Sequence, residues 1–423
     1  MKTKLLFALL VFSLVFASGL FGQESFFTQN TMTIFKGDID KLSDVNDYGD
    51  VKLKNVFLFS GARYVNGAID GFQGGFATYF GKLYFAMFYE GNFWKGYENT
   101  HTVGGREQDV FGADTGITLD NNFQVMFGNE KIGGIAIRLG FDKLGFNKDV
   151  NDTPPATEVN TRTGNINFGA LWGKNFAGSS GTFKPELGFL VNINMDKQVR
   201  KSGGTTTFDG GYGPSSLALN LSAEYLFAKE GRYQTTLSFG DIPLFNFKYD
   251  AQYKPAKDTR NGTIFNTLFG EVKQVYDISA SLSLGYLVGI NLAINGTSEI
   301  KKVDAFEFGI LPRVSFGLAY KANDKFTFNT GVRLGSLRPN ISSVDNVGNS
   351  TNDDFGFFYR NIKDKRGAAT VEDSTWYYLP FQGVWGLGLL WQPEELFSAD
   401  FSVDSKLNNS GAFNFNVLFT LNL

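Results

Sequence analysis

The stretch Phe413-Asn414-Phe415-Asn416-Val417-Leu418-Phe419-Thr420-Leu421-Asn422-Leu423 alternates between two chemistries. Phe413, Phe415, Val417, Phe419, Leu421 and Leu423 take the odd positions. Asn414, Asn416, Thr420 and Asn422 take the even ones, with Leu418 the exception. Successive side chains of an extended strand point to opposite faces, so the stretch reads as a strand with one oily and one wet side.

The same period recurs upstream. Apolar residues hold the even positions of Tyr276–Ile294, Phe306–Tyr320 and Phe326–Leu334, and the odd positions of Phe183–Met195 and Leu217–Phe227. No residue on these faces is charged, although charged residues make up 19% of the chain. Contact with hydrocarbon explains that exclusion, because a Lys or Arg at mid-bilayer on a barrel wall costs about 2–4 kcal/mol. A soluble sandwich core would also exclude charge, so the choice rests on three other features. The runs exceed the usual soluble strand of about 5–6 residues and suit tilted spanning strands of about 9–11. Tight connections occur near Gly178–Gly181, Lys229–Gly231, Ala322–Asp324 and Pro393–Glu395. Longer polar loops fall at 98–110, 147–160, 198–213, 254–262 and 336–375. Short turns at one rim and long loops at the other are the bacterial barrel arrangement. Aromatic pairs flank the tight turns: Phe176 and Phe183, Phe227 and Tyr233, Tyr320 and Phe326, Trp391 and Phe397. A band of such rings fits a membrane interface.

The expected fold is all-β: a single transmembrane antiparallel up-and-down β-barrel of about 16 strands, with a range of 12 to 18. Its turns would be periplasmic and its long loops extracellular. The tracing takes 122–142 and 232–253 each as one strand, the second strained by Pro243, which has no N–H for a central ladder.

Composition agrees. The chain has 423 residues, 45 Phe and 50 Gly, yet a mean hydropathy of only −0.13, because only alternate strand residues meet lipid. A net charge of −3 gives no sign of nucleic-acid binding. Without cysteine there is no disulfide scaffold, thiol nucleophile or lipidated N-terminal cysteine. Lys2 and Lys4 precede an apolar run from Leu5 to Phe16 and small residues at Ala17, Ser18, Gly19 and Gly22, the form of an export signal. The expected division is a signal peptide over 1–22, a periplasmic lead or plug over 23–50, and a barrel over 51–423.

With these features the chain resembles bacterial outer-membrane β-barrel proteins, porins included, over residues 51–423. Phe415, Val417, Phe419, Leu421 and Leu423 look like the barrel-assembly signal of that class, whose last residue is usually aromatic, whereas here it is Leu423. The resemblance implies outer-membrane lipid and the barrel-assembly machinery as partners, and location in the outer membrane.

Chemistry along the chain is sparse. His101 is the one histidine, and no nucleophile elbow, phosphate loop or zinc-protease motif occurs. Asp44-x-Asn46 starts like a calcium loop, but Tyr48 and Asn55 break its spacing. No enzyme, cofactor or metal is expected on these grounds. The inward phase carries Arg138, Lys184, Arg232, Lys248, Arg313 and Arg333, against Asp142, Glu186, Glu224, Asp250, Glu307, Asp400 and Asp404. This near balance argues against a strongly ion-selective pore. Phe355, Phe357, Phe358 and Tyr359 are unusual for a solvated loop and are candidates for a constriction at the barrel mouth. The function read from these features is passive passage of small hydrophilic solutes. Alternatives are a barrel for hydrophobic compounds similar to the fatty-acid transporters, and a non-transporting surface or adhesion barrel.

Overall fold

The computed structural model describes residues 55–60, 64–65, 68–69, 72–92, 100–103, 106–109, 117–151, 157–195, 197–211, 214–251, 260–299, 303–335, 355–364, 370–379, 383–394, 397–407 and 413–422. The expected signal peptide and lead lie outside them.

Sixteen of the described strands make a wall. They are β1 (Asn55–Ser60), β2 (Phe72–Phe80), β3 (Leu83–Asn92), β4 (Ile117–Asn129), β5 (Gly133–Asn151), β6 (Thr157–Gly173), β7 (Gly181–Asn194) and β8 (Pro214–Phe227). Then come β9 (Tyr233–Ala251), β10 (Arg260–Asp277), β11 (Leu282–Glu299), β12 (Val303–Lys321), β13 (Phe326–Leu334), β14 (Gly383–Glu394), β15 (Phe397–Lys406) and β16 (Phe413–Asn422). Each is hydrogen-bonded antiparallel to the next. β1 also pairs with β16, Val56 facing Asn422 and Phe59 facing Phe419. The pairings therefore return to the strand where they began, and the even number lets an antiparallel ring close.

Two segments differ from the expected tracing. Residues 122–142 fold back at Glu130–Ile132, where the Asn129 side-chain oxygen accepts hydrogen bonds from the amides of Lys131 and Ile132. Residues 276–294 fold back at Ile278–Ser281, and Ser279 Oγ accepts from the Ser281 amide. Asn129 pairs with Gly133, and Asp277 with Ser283. An odd number of residues separates each pair, so the outward parity continues through the turn and the alternation hides it. By contrast, 233–251 is one strand. Its ladders shift register between Asp241 and Asn246, so Pro243 sits where no pairing to β10 requires its missing N–H.

The four tight turns all lie at one rim, with those at Gly81–Lys82, 130–132 and 278–281. The other rim carries hairpins. The 336–375 region is not a plain loop. Gly356–Asp364 and Val371–Leu379 form a hairpin whose first strand pairs with Val303–Ile310 of β12, while Val314–Lys321 of β12 pairs with β13. Lys197–Ser202 and Thr205–Gly211 likewise extend the wall beside the start of β6.

The packing is inverted relative to a soluble protein. On β11, Leu284, Tyr286, Val288 and Ile290 are exposed, while Leu287, Asn291 and Ala293 on the alternate face are buried. On β12, Phe306, Phe316 and Tyr320 are exposed, and Glu307, Arg313 and Ser315 are buried. Large apolar side chains thus look outward all around and polar ones inward, which is stable only if hydrocarbon surrounds the wall. Leu284 to Ile294 spans ten residue steps. At about 3.3 Å per step and a tilt of about 40° this is about 25 Å of bilayer depth, the height of a barrel's apolar band.

Aromatics mark the tight-turn rim. The rings of Phe176 and Phe183 lie 6.5 Å apart, and those of Trp391 and Phe397 6.0 Å. The other two expected pairs resolve differently: Tyr233 stacks on Tyr276, and Tyr320 lies opposite Phe328.

Val288 sits mid-band and is 52% exposed. Val288→Arg is expected to cost about 2–4 kcal/mol in reversible unfolding from lipid vesicles. An exposed site facing water would change by no more than about 0.5 kcal/mol, and such a small effect would refute the lipid-facing assignment.

Candidate functional site

The inner wall is the candidate site, and several of its charged side chains meet partners that the strand register brings together. Glu307 of β12 lies opposite Arg360 of the 356–364 strand, and the Arg360 Nε donates to Glu307 Oε1 at 2.6 Å. Lys184 of β7 lies opposite Glu224 of β8, with Nζ 3.8 Å from Oε1. Gln124 of β4 lies opposite Arg138 of β5, whose Nε donates to Gln124 Oε1 at 2.8 Å.

One pair crosses a strand. Gly289 of β11 lies between Glu271 of β10 and Arg313 of β12. Arg313 Nη1 reaches Glu271 Oε2 at 2.9 Å over it, and the two side chains are only 9% and 15% exposed. A Cβ at position 289 would lie 2.8 Å from the Glu271 Cβ. The glycine is therefore the gap that lets the two chains meet.

The wall between β6 and β7 is neutral. Asn192 donates to Asn167 at 2.7 Å and Asn194 to Asn165 at 3.1 Å, forming an amide ladder. Its members are opposite residues in the register, so each amide is satisfied across the strands.

A small apolar patch interrupts this polar surface. Ala293 of β11, Leu311 of β12, and Phe358 and Leu379 of the 356–379 hairpin pack together, with Tyr377 against them. The Arg360 guanidinium lies 5.4 Å from the Phe358 ring centre and 5.8 Å from that of Tyr377. Arg360 thus joins the patch to the Glu307 carboxylate.

Of the residues singled out from sequence, Lys184, Glu307, Arg313 and Arg333 are buried on the inner face, and Arg138, Glu186 and Glu224 lie half-buried there. Arg232 is in a tight turn instead, where its Nη1 donates to the Ile278 carbonyl. Lys248 faces Ser216 and Thr263 in the backbone register, and its side chain lies outside the described residues. The four aromatics divide. Phe358 is buried on the inner face, Phe357 is 56% exposed on the outer face, Tyr359 shares Phe357's side of the strand, and Phe355 precedes it. In β16, Phe419 stacks on Phe397, and Leu421 lies opposite it. The side chains of Phe415 and Val417, and all of Leu423, lie outside the described residues. His101 lies in a short strand opposite Gln108, and Asp44 and Asn46 lie outside the described residues.

Glu271 and Arg360 are missing from the sequence-based set. The signal for Arg360 is its spacing two residues after Phe358, which puts both on one face of a strand. Glu271 has no comparable mark, because its partner is two strands away.

No model of a known protein family matches the chain, and no curated protein matches it. Its shape is similar to solved outer-membrane proteins. OmpT of Vibrio cholerae, in vitro folded and in its trimer form, is 9% identical over 87% of this chain and 97% of that one, with a TM-score of 0.32. The copper transporter OprC is 9% identical over 84% and 61%, with a TM-score of 0.41. The alcaligin receptor FauA of Bordetella pertussis is 9% identical over 87% and 76%, with a TM-score of 0.34. The ring of pairings and the inverted packing by themselves make the chain a transmembrane antiparallel β-barrel. The expectation that it is not an enzyme is withdrawn. One architecture hosts unrelated functions. Catalytic groups on a barrel come from separate strands, so a missing contiguous motif excludes nothing.

The ion pair over Gly289 gives a direct test. Glu271→Gln leaves a buried guanidinium without its carboxylate and is expected to cost about 3 kcal/mol. Adding Arg313→Gln should restore part of that loss in a double-mutant cycle. Strict additivity of the two substitutions would show that the pair is not coupled.

Proposed function

We propose that the barrel is a passive, porin-like channel for small hydrophilic solutes. The observation that carries this reading is the inward placement of polar and charged residues, six of them held in three cross-strand pairs. Such a wall is wetted, and its sign is nearly neutral, so size would govern passage more than charge. Residues 1–22 act in this reading as a removable export signal. Partners are the surrounding lipid, the assembly machinery that recognises Phe415, Val417, Phe419, Leu421 and Leu423, and the solutes themselves. Purified protein in planar bilayers is expected to give discrete conductance steps and a reversal potential near zero across a salt gradient. A folded barrel that never conducts would sink this reading.

A second reading has its own support. The apolar patch of Ala293, Leu311, Phe358 and Leu379 lies on the inner side, where a barrel carrying hydrophobic compounds would bind them. Lipid extracted with the purified protein, and lost in Leu311→Asn, favours that reading.

Of the constriction candidates Phe355, Phe357, Phe358 and Tyr359, Phe358 is the one buried on the inner face, against Ala293, Leu311 and Leu379. Phe358→Ala is expected to raise single-channel conductance, whereas Phe357→Ala on the outer face should leave it unchanged. Equal conductance in both variants would remove the hairpin from the conduction path.

A further inference from the structure

At the tight-turn rim, one outward cluster is built more deliberately than its neighbours. The turn at Glu130–Ile132 offers two backbone carbonyls to β6 and the residues after it. Trp172 Nε1 donates to the Ile132 carbonyl at 2.9 Å, and Lys174 Nζ donates to the Lys131 carbonyl at 2.7 Å. Lys174 also lies over the Phe176 ring, 5.2 Å from its centre. Gly133 permits this approach. Its φ is 87°, and a Cβ there would fall 3.0 Å from the Lys174 Cβ and 3.1 Å from Trp172 Nε1. The exposed Lys131 side chain, the half-exposed Lys174 ammonium and the exposed apolar surfaces of Ile132 and Phe176 thus share one patch. Glu130 is the carboxylate in the same turn, and Lys82 adds a cation at the adjoining turn. Elsewhere on this rim, two lysines are matched to carboxylates. Lys229 pairs with Asp277, and Lys321 pairs with Asp324, whose carboxyl that hydrogen bond and charge hold below its usual range.

We propose that this patch binds the phosphate of an anionic phospholipid in the leaflet at the tight-turn end. The site has the two parts such a ligand needs. Ile132, Trp172 and Phe176 present apolar surface to the first acyl carbons at the depth where aromatics mark the interface. Lys131 and Lys174 present ammonium donors just beyond it, where the phosphate lies. Lys174 is fixed by its carbonyl and ring contacts, so little rotamer freedom is lost when it meets the lipid. Its remaining N–H groups stay available, because an ammonium has three donors.

The test uses the full protein in phosphatidylcholine nanodiscs with and without phosphatidylglycerol. Native mass spectrometry after release counts the lipids each barrel retains. The wild-type chain should retain phosphatidylglycerol preferentially. Lys131→Gln with Lys174→Gln should weaken that preference about tenfold, since each lysine near an anionic surface contributes roughly fivefold or less. Lys325→Gln, the same charge change at an exposed turn outside the patch, should leave it intact. Lys131→Gln alone, whose side chain makes no described contact, keeps the test open if the double variant fails to fold, and it should lose part of the preference. Undiminished retention in that single variant or in the double variant would overturn the proposal. So would an equal loss in Lys325→Gln, which would make the effect one of rim charge at large. Added inorganic phosphate should not compete; full displacement by it would show a free-anion site instead of a lipid site.

Discussion

In hydrocarbon a backbone N–H or C=O has no water to bond, and leaving one unpaired costs several kcal/mol. A sheet meets that demand only by having no edge. The pairing of β1 with β16 is therefore the contact on which the rest of this molecule depends. β1 is only six residues long, yet it holds β2 on one side and β16 on the other. Closure fixes the parity of the whole wall, since sixteen antiparallel strands meet without a parallel seam. It also decides which side of every pleat encloses an interior, and so where each charged residue can go.

Once inward and outward are set, the chemistry of the two sides diverges. Outside, selection acts on transfer from water, and Leu, Val, Ile and Phe suffice in almost any order. Inside, position matters residue by residue. Glu307 and Arg360 pair because they are opposite in the register, as are Lys184 and Glu224. Glu271 and Arg313 pair only because the strand between them carries a glycine at that level. At these three places the wall holds opposite charges in short-range pairs that rigidify it and cancel locally.

This contrast explains what the sequence could and could not disclose. Period-2 alternation is a local property, so the outward faces of β7, β8, β11, β12 and β13 were legible from the chain alone. Turns are legible only when they disturb that period. Gly178 pairs with Gly181, so Ser179-Ser180 shifts the apolar phase from Phe176 to Phe183, and the break is visible. At Asn129–Gly133 and Asp277–Ser283 the phase is preserved, and Phe127 and Ile135 read as members of one strand although they face each other across a hairpin. The hairpin at 356–379 was hidden differently. Its long polar surroundings suggest a loop, but Phe358 and Arg360 belong inside and Phe357 and Trp376 outside. Inner-wall partners were the least legible, because a residue's partner depends on register between segments distant in sequence, which no local pattern encodes.

The hairpin also shows how a barrel varies its interior without altering its ring. Above the level where β13 ends, β12 continues and takes the 356–364 strand as its new neighbour. The side chains that strand turns inward lie above Arg313 and Arg333, outside the sixteen-strand ladder. Phe358 and Leu379 are buried there against Ala293 and Leu311, so the hairpin is anchored by apolar contact and by the Arg360–Glu307 pair together. A substituted or lengthened hairpin would change what faces the interior at that level while β1 still closed on β16. The shape of the interior is therefore separable from integrity: the ladder that keeps the backbone satisfied in lipid is distinct from the added strands that line the interior at that level.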